Sequence, residues 1–281
     1  MDLAVEVQRL RLDALAVDLS RSLTAADVPH ALLKGPTTAA WLYPDGRPYR
    51  DVDLLVPASR LPDAVRSLAG SARPAARAFE ESPHSQVLVS TEGFEVDLHV
   101  APPGTSATDD TWWDLFAPTL EPWAMDVGTV PALGPGARCL VLALHALNSG
   151  PSDAQAAADL RRALALPDAV WIEARALADA AGVRELFDAG VSGRARSGRA
   201  ALHLAEAPPA AFALQRFADA GWRGRAGLLG REALPSRGFM ARADPRSTTG
   251  RRALVAAHLR RWVRLARQLP AAARALRRTR G

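Results

Sequence analysis

Tyr49-Arg50-Asp51-Val52-Asp53-Leu54-Leu55-Val56 sets two carboxylates two residues apart among apolar neighbours. On an extended chain, residues i and i+2 share a face. Asp51 and Asp53 therefore project together, while Val52, Leu54 and Val56 turn toward a core. Carboxylates held side by side repel each other unless a cation lies between them. Mg²⁺, a hard ion that commonly links protein carboxylates to substrate phosphates, suits such a pair. Alone, an Asp-x-Asp on a half-exposed strand is also an ordinary solvated pattern, so its flanks decide the reading.

Upstream, His30-Ala31-Leu32-Leu33-Lys34 reads as a short buried strand ending at Gly35. Pro36 suits a first helical position, because it has no N–H to satisfy and its φ is pre-set. Thr37 to Tyr43 would be that helix, and Pro44-Asp45-Gly46 ends it in a turn. An amphipathic helix precedes it over residues 2–25, with Leu3, Val7, Leu10, Leu15, Leu19 and Leu23 as its stripe and a break at Asp27-Val28-Pro29. Downstream come a helix near 61–69 and two strand-like runs, Ser85–Ser90 and Phe94–Val100, with Thr91-Glu92-Gly93 as a hairpin loop. In the second run Phe94, Val96, Leu98 and Val100 share one face, and Glu95, Asp97 and His99 the other. A third carboxylate is thus offered. Asp97 is the preferred one and Glu95 its rival. His99 either orients Asp97, touches substrate or is a surface histidine.

Residues 101–136, rich in Pro, Gly and Trp, read as irregular and anchored by Trp112, Trp113 and Trp123. From Ala137 the pattern turns helical: 137–148, 154–166, 168–181, 183–191, 200–204 and 210–220. His145, on an apolar helix, reads as a hydrogen-bonded core residue. Residues 221–250, with many Gly and Arg, are expected to be mobile. A last helix is expected over 252–269, with Val255, Leu259, Trp262, Ala266 and Leu269 as its stripe. It reads as a packed or dimer-forming helix ahead of a nucleic-acid or membrane binder.

The chain has 281 residues, enough for two domains, and 48% are hydrophobic, enough for a substantial core. No apolar run approaches the ~20 residues that span a bilayer. The N-terminus does not resemble a signal peptide, and a cytoplasmic location is expected. Cys139 is the only cysteine and reads as a small buried hydrophobe. Residues 193–281 hold 20 arginines against four acidic residues, a net +16, which leaves −11 for residues 1–192. Such a tail either packs on the acidic body or marks a surface for nucleic acid, phosphate or acidic lipid. Lys34 is the only lysine, a compact point charge where every other basic residue is a planar fork.

Taken together, a glycine turn after a strand, a nearby ammonium and three carboxylates supply a phosphate cradle and a metal cage. The residues Leu32-Leu33-Lys34-Gly35, Leu42-Tyr43-Pro44-Asp45, Arg47-Pro48, Asp51-Val52-Asp53-Leu54-Leu55-Val56 and Val96-Asp97-Leu98-His99 resemble the nucleotidyltransferase superfamily with the DNA polymerase β-like fold. More narrowly, they resemble a bacterial nucleotidyltransferase-like family carrying a Leu-Lys-Gly motif. His145, Asp159-Leu160 and Trp171 extend the likeness, which covers roughly residues 20–190.

Residue patterns, charge and the resemblance together read as an α+β fold: a small mixed sheet in a catalytic domain, residues 1–135, then a helical domain, 136–232, and a basic segment, 233–281. The resemblance implies Asp51, Asp53 and Asp97 as metal ligands, with Asp97 either a ligand or the base for the incoming hydroxyl. It implies Lys34 and Gly35 at the nucleotide phosphates, with Arg47 and Arg50 either holding phosphate or balancing the acids. The chain departs from the superfamily at Pro36, which replaces a residue with a hydroxyl or a free N–H; Thr37 or Thr38 can substitute for it. The implied activity is Mg²⁺- (or Mn²⁺-) dependent transfer of an NMP group from an NTP, chiefly ATP. The acceptor would be a hydroxyl of a small molecule, peptide or protein; few stacking aromatics accompany these motifs, so a polynucleotide ranks lower. The alternative is a catalytically silent fold acting as a binding or antitoxin-like regulatory protein.

Overall fold

The protein is described by a computed structural model covering residues 3–75, 84–105, 109–195, 197–219, 240 and 250–279. The stretch expected to be mobile, 221–250, lies outside the described residues except for Met240 and Gly250. The fold is α+β: a seven-stranded mixed sheet with helices, followed by a mostly helical region.

α1 (Leu3–Ala25) buries Leu12, Leu15, Leu19 and Leu23 against the sheet, but the first part of its stripe, Leu3, Val7 and Leu10, stays exposed. β1 (Ala31–Leu32) leads through Gly35 into α2 (Pro36–Leu42). β2 (Asp51–Leu55), α3 (Leu61–Ser67), β3 (Ala72–Pro74), β4 (Ser85–Ser90) and β5 (Glu95–His99) follow. The sheet order is β3-β4-β5-β2-β1-β7-β6. β2 runs parallel to β5, and β1 is antiparallel to β2 but parallel to β7.

Residues 101–136 are more regular than their composition suggests. They form α4 (Thr111–Phe116) and a hairpin, β6 (Glu121–Met125) and β7 (Gly128–Ala132), that completes the sheet. Proline hides these strands from a sequence reading because it cannot donate to a ladder. Here Pro122 and Pro131 sit directly opposite one another, and β6 is an edge strand. Of the tryptophans, Trp112 is buried, while Trp113 and Trp123 pack against the two main cores.

One sheet face carries Val52, Leu54, Val56, Val96 and Leu98 and packs on α1 and α3. The other carries Leu33, Leu55 and the carboxylates, and its apolar part shares a core with Leu140, Leu144, Ala174 and Phe187. Those residues belong to α5 (Pro135–Ser149), α7 (Asp168–Ala180) and α8 (Arg184–Ser192). α6 (Ala154–Ala163) lies beside α2, and α9 (Gly198–Leu204) and α10 (Pro209–Asp219) follow. Cys139 is buried on α5, and burial pushes its thiol up to about 12. The last helix, α11 (Arg251–Arg278), continues past Pro270, where a sequence reading would stop it. The alanine-rich turns beyond favour helix and bury Ala272, Ala275 and Leu276 against α9 and α10. No helix among the described residues is long and apolar enough to cross a membrane.

Candidate active site

The parallel pairing of β2 and β5 aligns Asp51 with Glu95, Asp53 with Asp97 and Leu55 with His99. Residues opposite each other in a ladder share a face. Asp53 and Asp97 thus stand side by side on adjacent strands. Ligand atoms of Asp53, Asp97 and His99 all lie within 4.8 Å of one another. Glu95, at the strand's start, is exposed. Asp97 is the acid brought into the group.

Asp53 is fully buried. Its Oδ1 accepts from His99 Nε2 at 2.8 Å and pairs with Lys34 Nζ at 3.1 Å. Burial alone would raise its pKa. The Lys34 ammonium, then His99, outweigh burial and hold it well below the usual carboxylate range. The same acids, led by Asp53, keep Lys34 charged against its own burial. Asp51 has the opposite fate: repulsion from Asp53, then burial, push it up to about 6. Burial and Asp53 also raise Asp97. Among the described residues, Asp53 Oδ2, Asp97 Oδ1 and His99 Nδ1 are buried without hydrogen-bond partners. Buried polar atoms are rarely left so. Two partnerless carboxylate oxygens beside an imidazole are the donor set that a divalent cation satisfies.

The glycine turn adjoins this group. Gly35 caps α2 with φ 73°, a left-handed value that favours glycine, and Pro36 occupies the first helical turn. A side chain at Gly35 would come within 3.4 Å of the Asp51 carbonyl, so the turn packs closely on β2. Thr37 and Thr38 are both buried, and Thr37 Oγ1 has no hydrogen-bond partner among the described residues.

Of the two arginines, Arg50 is exposed. Arg47 turns to α6 instead, pairing through Nη2 with Asp159 Oδ2 at 2.9 Å. Tyr43 Oη donates to Asp159 Oδ1 at 2.6 Å, and Gln155 Nε2 donates to the same oxygen at 2.8 Å. This buried network ties the segment before β2 to the helical region. Asp159 entered the sequence reading only as part of the family likeness, and its place at the centre of this network follows from the fold.

Three histidines border the acids. His84 stacks on His99 with ring centroids 5.7 Å apart, and burial, then His99 and Lys34, lower its pKa to about 4. His145 lies within electrostatic reach of Lys34 and Asp53, and burial lowers it to about 3. Among the described residues its Nδ1 has no hydrogen-bond partner, so the hydrogen bond expected of a core histidine is missing at that atom. His84, displayed by no motif, could be found only through the fold.

A family model described as an uncharacterised nucleotidyltransferase matches residues 2–192. The chain belongs to this family. Among solved structures it is similar to an antigenic nucleotidyltransferase-like protein from Paracoccidioides brasiliensis, at 17% identity over 65% of this chain and 94% of that one, with a TM-score of 0.37. It is also similar to the antibiotic-resistance factor ANT(2'')-Ia, at 14% identity over 66% and 91% of the two chains, with a TM-score of 0.38. No curated protein matches it.

Proposed function

We propose that this family member transfers an NMP group from an NTP, chiefly ATP, to a hydroxyl of a small-molecule, peptide or protein acceptor. The observation that carries the reading is the side-by-side pair Asp53 and Asp97, each with a buried oxygen lacking a partner. Asp51, Asp53 and Asp97 would hold Mg²⁺ or Mn²⁺, with His99 fixing Asp53 through its 2.8 Å hydrogen bond. When bound, such an ion neutralises phosphate charge and polarises the phosphoryl group. Lys34, Gly35, Thr37 and Thr38 would border the donor phosphates, with Thr37 Oγ1 the unpartnered hydroxyl replacing the one lost at Pro36. Asp97 would act either as a third ligand or as the base that takes the acceptor's proton. The acceptor oxygen bonds to the α-phosphorus as the bond to pyrophosphate breaks.

Calorimetry with ATP, with and without Mg²⁺, tests the metal and the acids. Binding should require the metal and be lost in Asp51→Asn and Asp53→Asn. Mass spectrometry of candidate acceptors after incubation with each NTP tests the transfer, through a mass gain of one nucleotidyl unit. A second reading, a silent fold used for regulatory binding, is favoured by one observation: Lys34 already neutralises Asp53 at 3.1 Å. Nucleotide binding that is absent, or indifferent to metal and to both substitutions, would establish that reading instead.

A further inference from the structure

α11 carries nine arginines and no acidic residue over its 28 residues. Its last turns are docked: Ala272, Ala275 and Leu276 are buried against Leu202 of α9 and Ala210 and Ala211 of α10. An apolar stripe in the turns before Pro270 is not. Val255, Leu259, Trp262, Val263 and Leu269 recur at the three- and four-residue spacing of a single helix face, and each is between 45% and 61% exposed. Exposed Arg251 and Arg252 lie on that face of the helix and exposed Arg267 flanks it. A scattered surface leucine needs no explanation, but five large apolar side chains aligned on one helix do.

The charge identifies the occupant. A second copy of this helix laid on the stripe would bring two arginine-rich, acid-free segments together, which is repulsive. A nucleic acid would satisfy the arginines but not the valines and leucines, since only Trp262 offers a ring for stacking. A surface that is both negative and apolar satisfies all of them. We propose that α11 lies on an anionic lipid bilayer. The stripe enters the boundary between headgroups and acyl chains, Trp262 sits at the headgroup level, and Arg251, Arg252 and Arg267 reach lipid phosphates. The helix lies on the membrane without crossing it, as its arginines require.

The test is flotation of the full-length protein with vesicles. One set is pure phosphatidylcholine, and the other contains about one-third phosphatidylglycerol. The protein should float with the anionic vesicles, bind the neutral ones about tenfold more weakly, and be released by salt. Leu259→Glu and Trp262→Glu should each abolish flotation with no change in Tm, because both side chains are exposed. Arg252→Glu with Arg267→Glu should remove the preference for anionic lipid. Absence of flotation with either vesicle overturns the proposal, as does flotation that survives Leu259→Glu. A wild-type dimer that Leu259→Glu converts to monomer, without vesicle binding, assigns the face to a second copy. Binding to single-stranded RNA that Leu259→Glu removes, again without vesicle binding, assigns it to nucleic acid. Each of these outcomes refutes the lipid assignment.

Discussion

Asp53 is the most constrained residue of the site, a fully buried carboxylate between an ammonium and an imidazole. Its charge is tolerated because Lys34 and His99 together outweigh its burial. Lys34→Met removes the nearest cation and leaves a buried charge uncompensated. Urea unfolding should show a loss of about 3 kcal/mol, and added Mn²⁺ should restore more stability than it gives the wild type. Equal stability of the two proteins without metal would mean that the ion pair contributes little. Asp51 supplies the pH signature. Its pKa is raised from 3.8 to about 6 by Asp53 and by burial, so the folded state binds its proton more tightly than the unfolded chain does. The resulting penalty is absent below 3.8, grows as pH rises toward 6, and is full above it. Asp51→Asn should therefore stabilise the metal-free protein by about 2 kcal/mol at neutral pH. That advantage should disappear as pH falls through this window, as followed by thermal unfolding across pH. Asp97 changes in the same direction, so it contributes to the wild-type slope that remains in the variant.

At the level of elements, one contact ties α6 to the segment before β2 and another sets the approach of α5 and α8. Asp159 on α6 is 5% exposed in its side chain and Arg47 is 13% exposed, so their ion pair is well removed from water. Asp159→Ala leaves Arg47 and the Tyr43 hydroxyl without their acceptor. Chemical denaturation should show a loss of about 3–5 kcal/mol; a loss below ~1 kcal/mol would make this a surface-like pair. Gly190 on α8 has a different constraint. A Cβ there would lie 2.2 Å from the Ala143 carbonyl oxygen of α5. Gly190→Ala must push the two helices apart and should cost about 2–3 kcal/mol, although alanine is otherwise the better helix former. An unchanged or raised Tm would show that α5 and α8 do not approach so closely in solution.

For the molecule as a whole, secondary structure changes character at residue 135 but packing does not stop there. Ala31, Leu33 and Leu55 of the sheet side share one buried cluster with residues of α5, α7 and α8. A fragment of residues 1–134 would expose that face. It should fail to unfold cooperatively, as judged by circular dichroism melting; a sharp transition would show that the sheet is self-sufficient.

The sequence alone carried the alternation that puts Asp51 and Asp53 on one face, the Gly35 turn, the third acid's strand and the basic final helix. All of these are local: a two-residue period, turn chemistry and charge are written within a few positions. Tertiary structure decided the rest. The β2–β5 register aligns Asp53 with Asp97 and carries Glu95 to an exposed strand start. Folding also brings Lys34 to Asp53 and draws Arg47 away to Asp159. It completes the sheet with a hairpin whose facing prolines conceal it, and leaves an apolar stripe of α11 exposed. These outcomes join residues far apart in the chain. Burial and strand pairing select them together, and a local pattern holds no record of that choice.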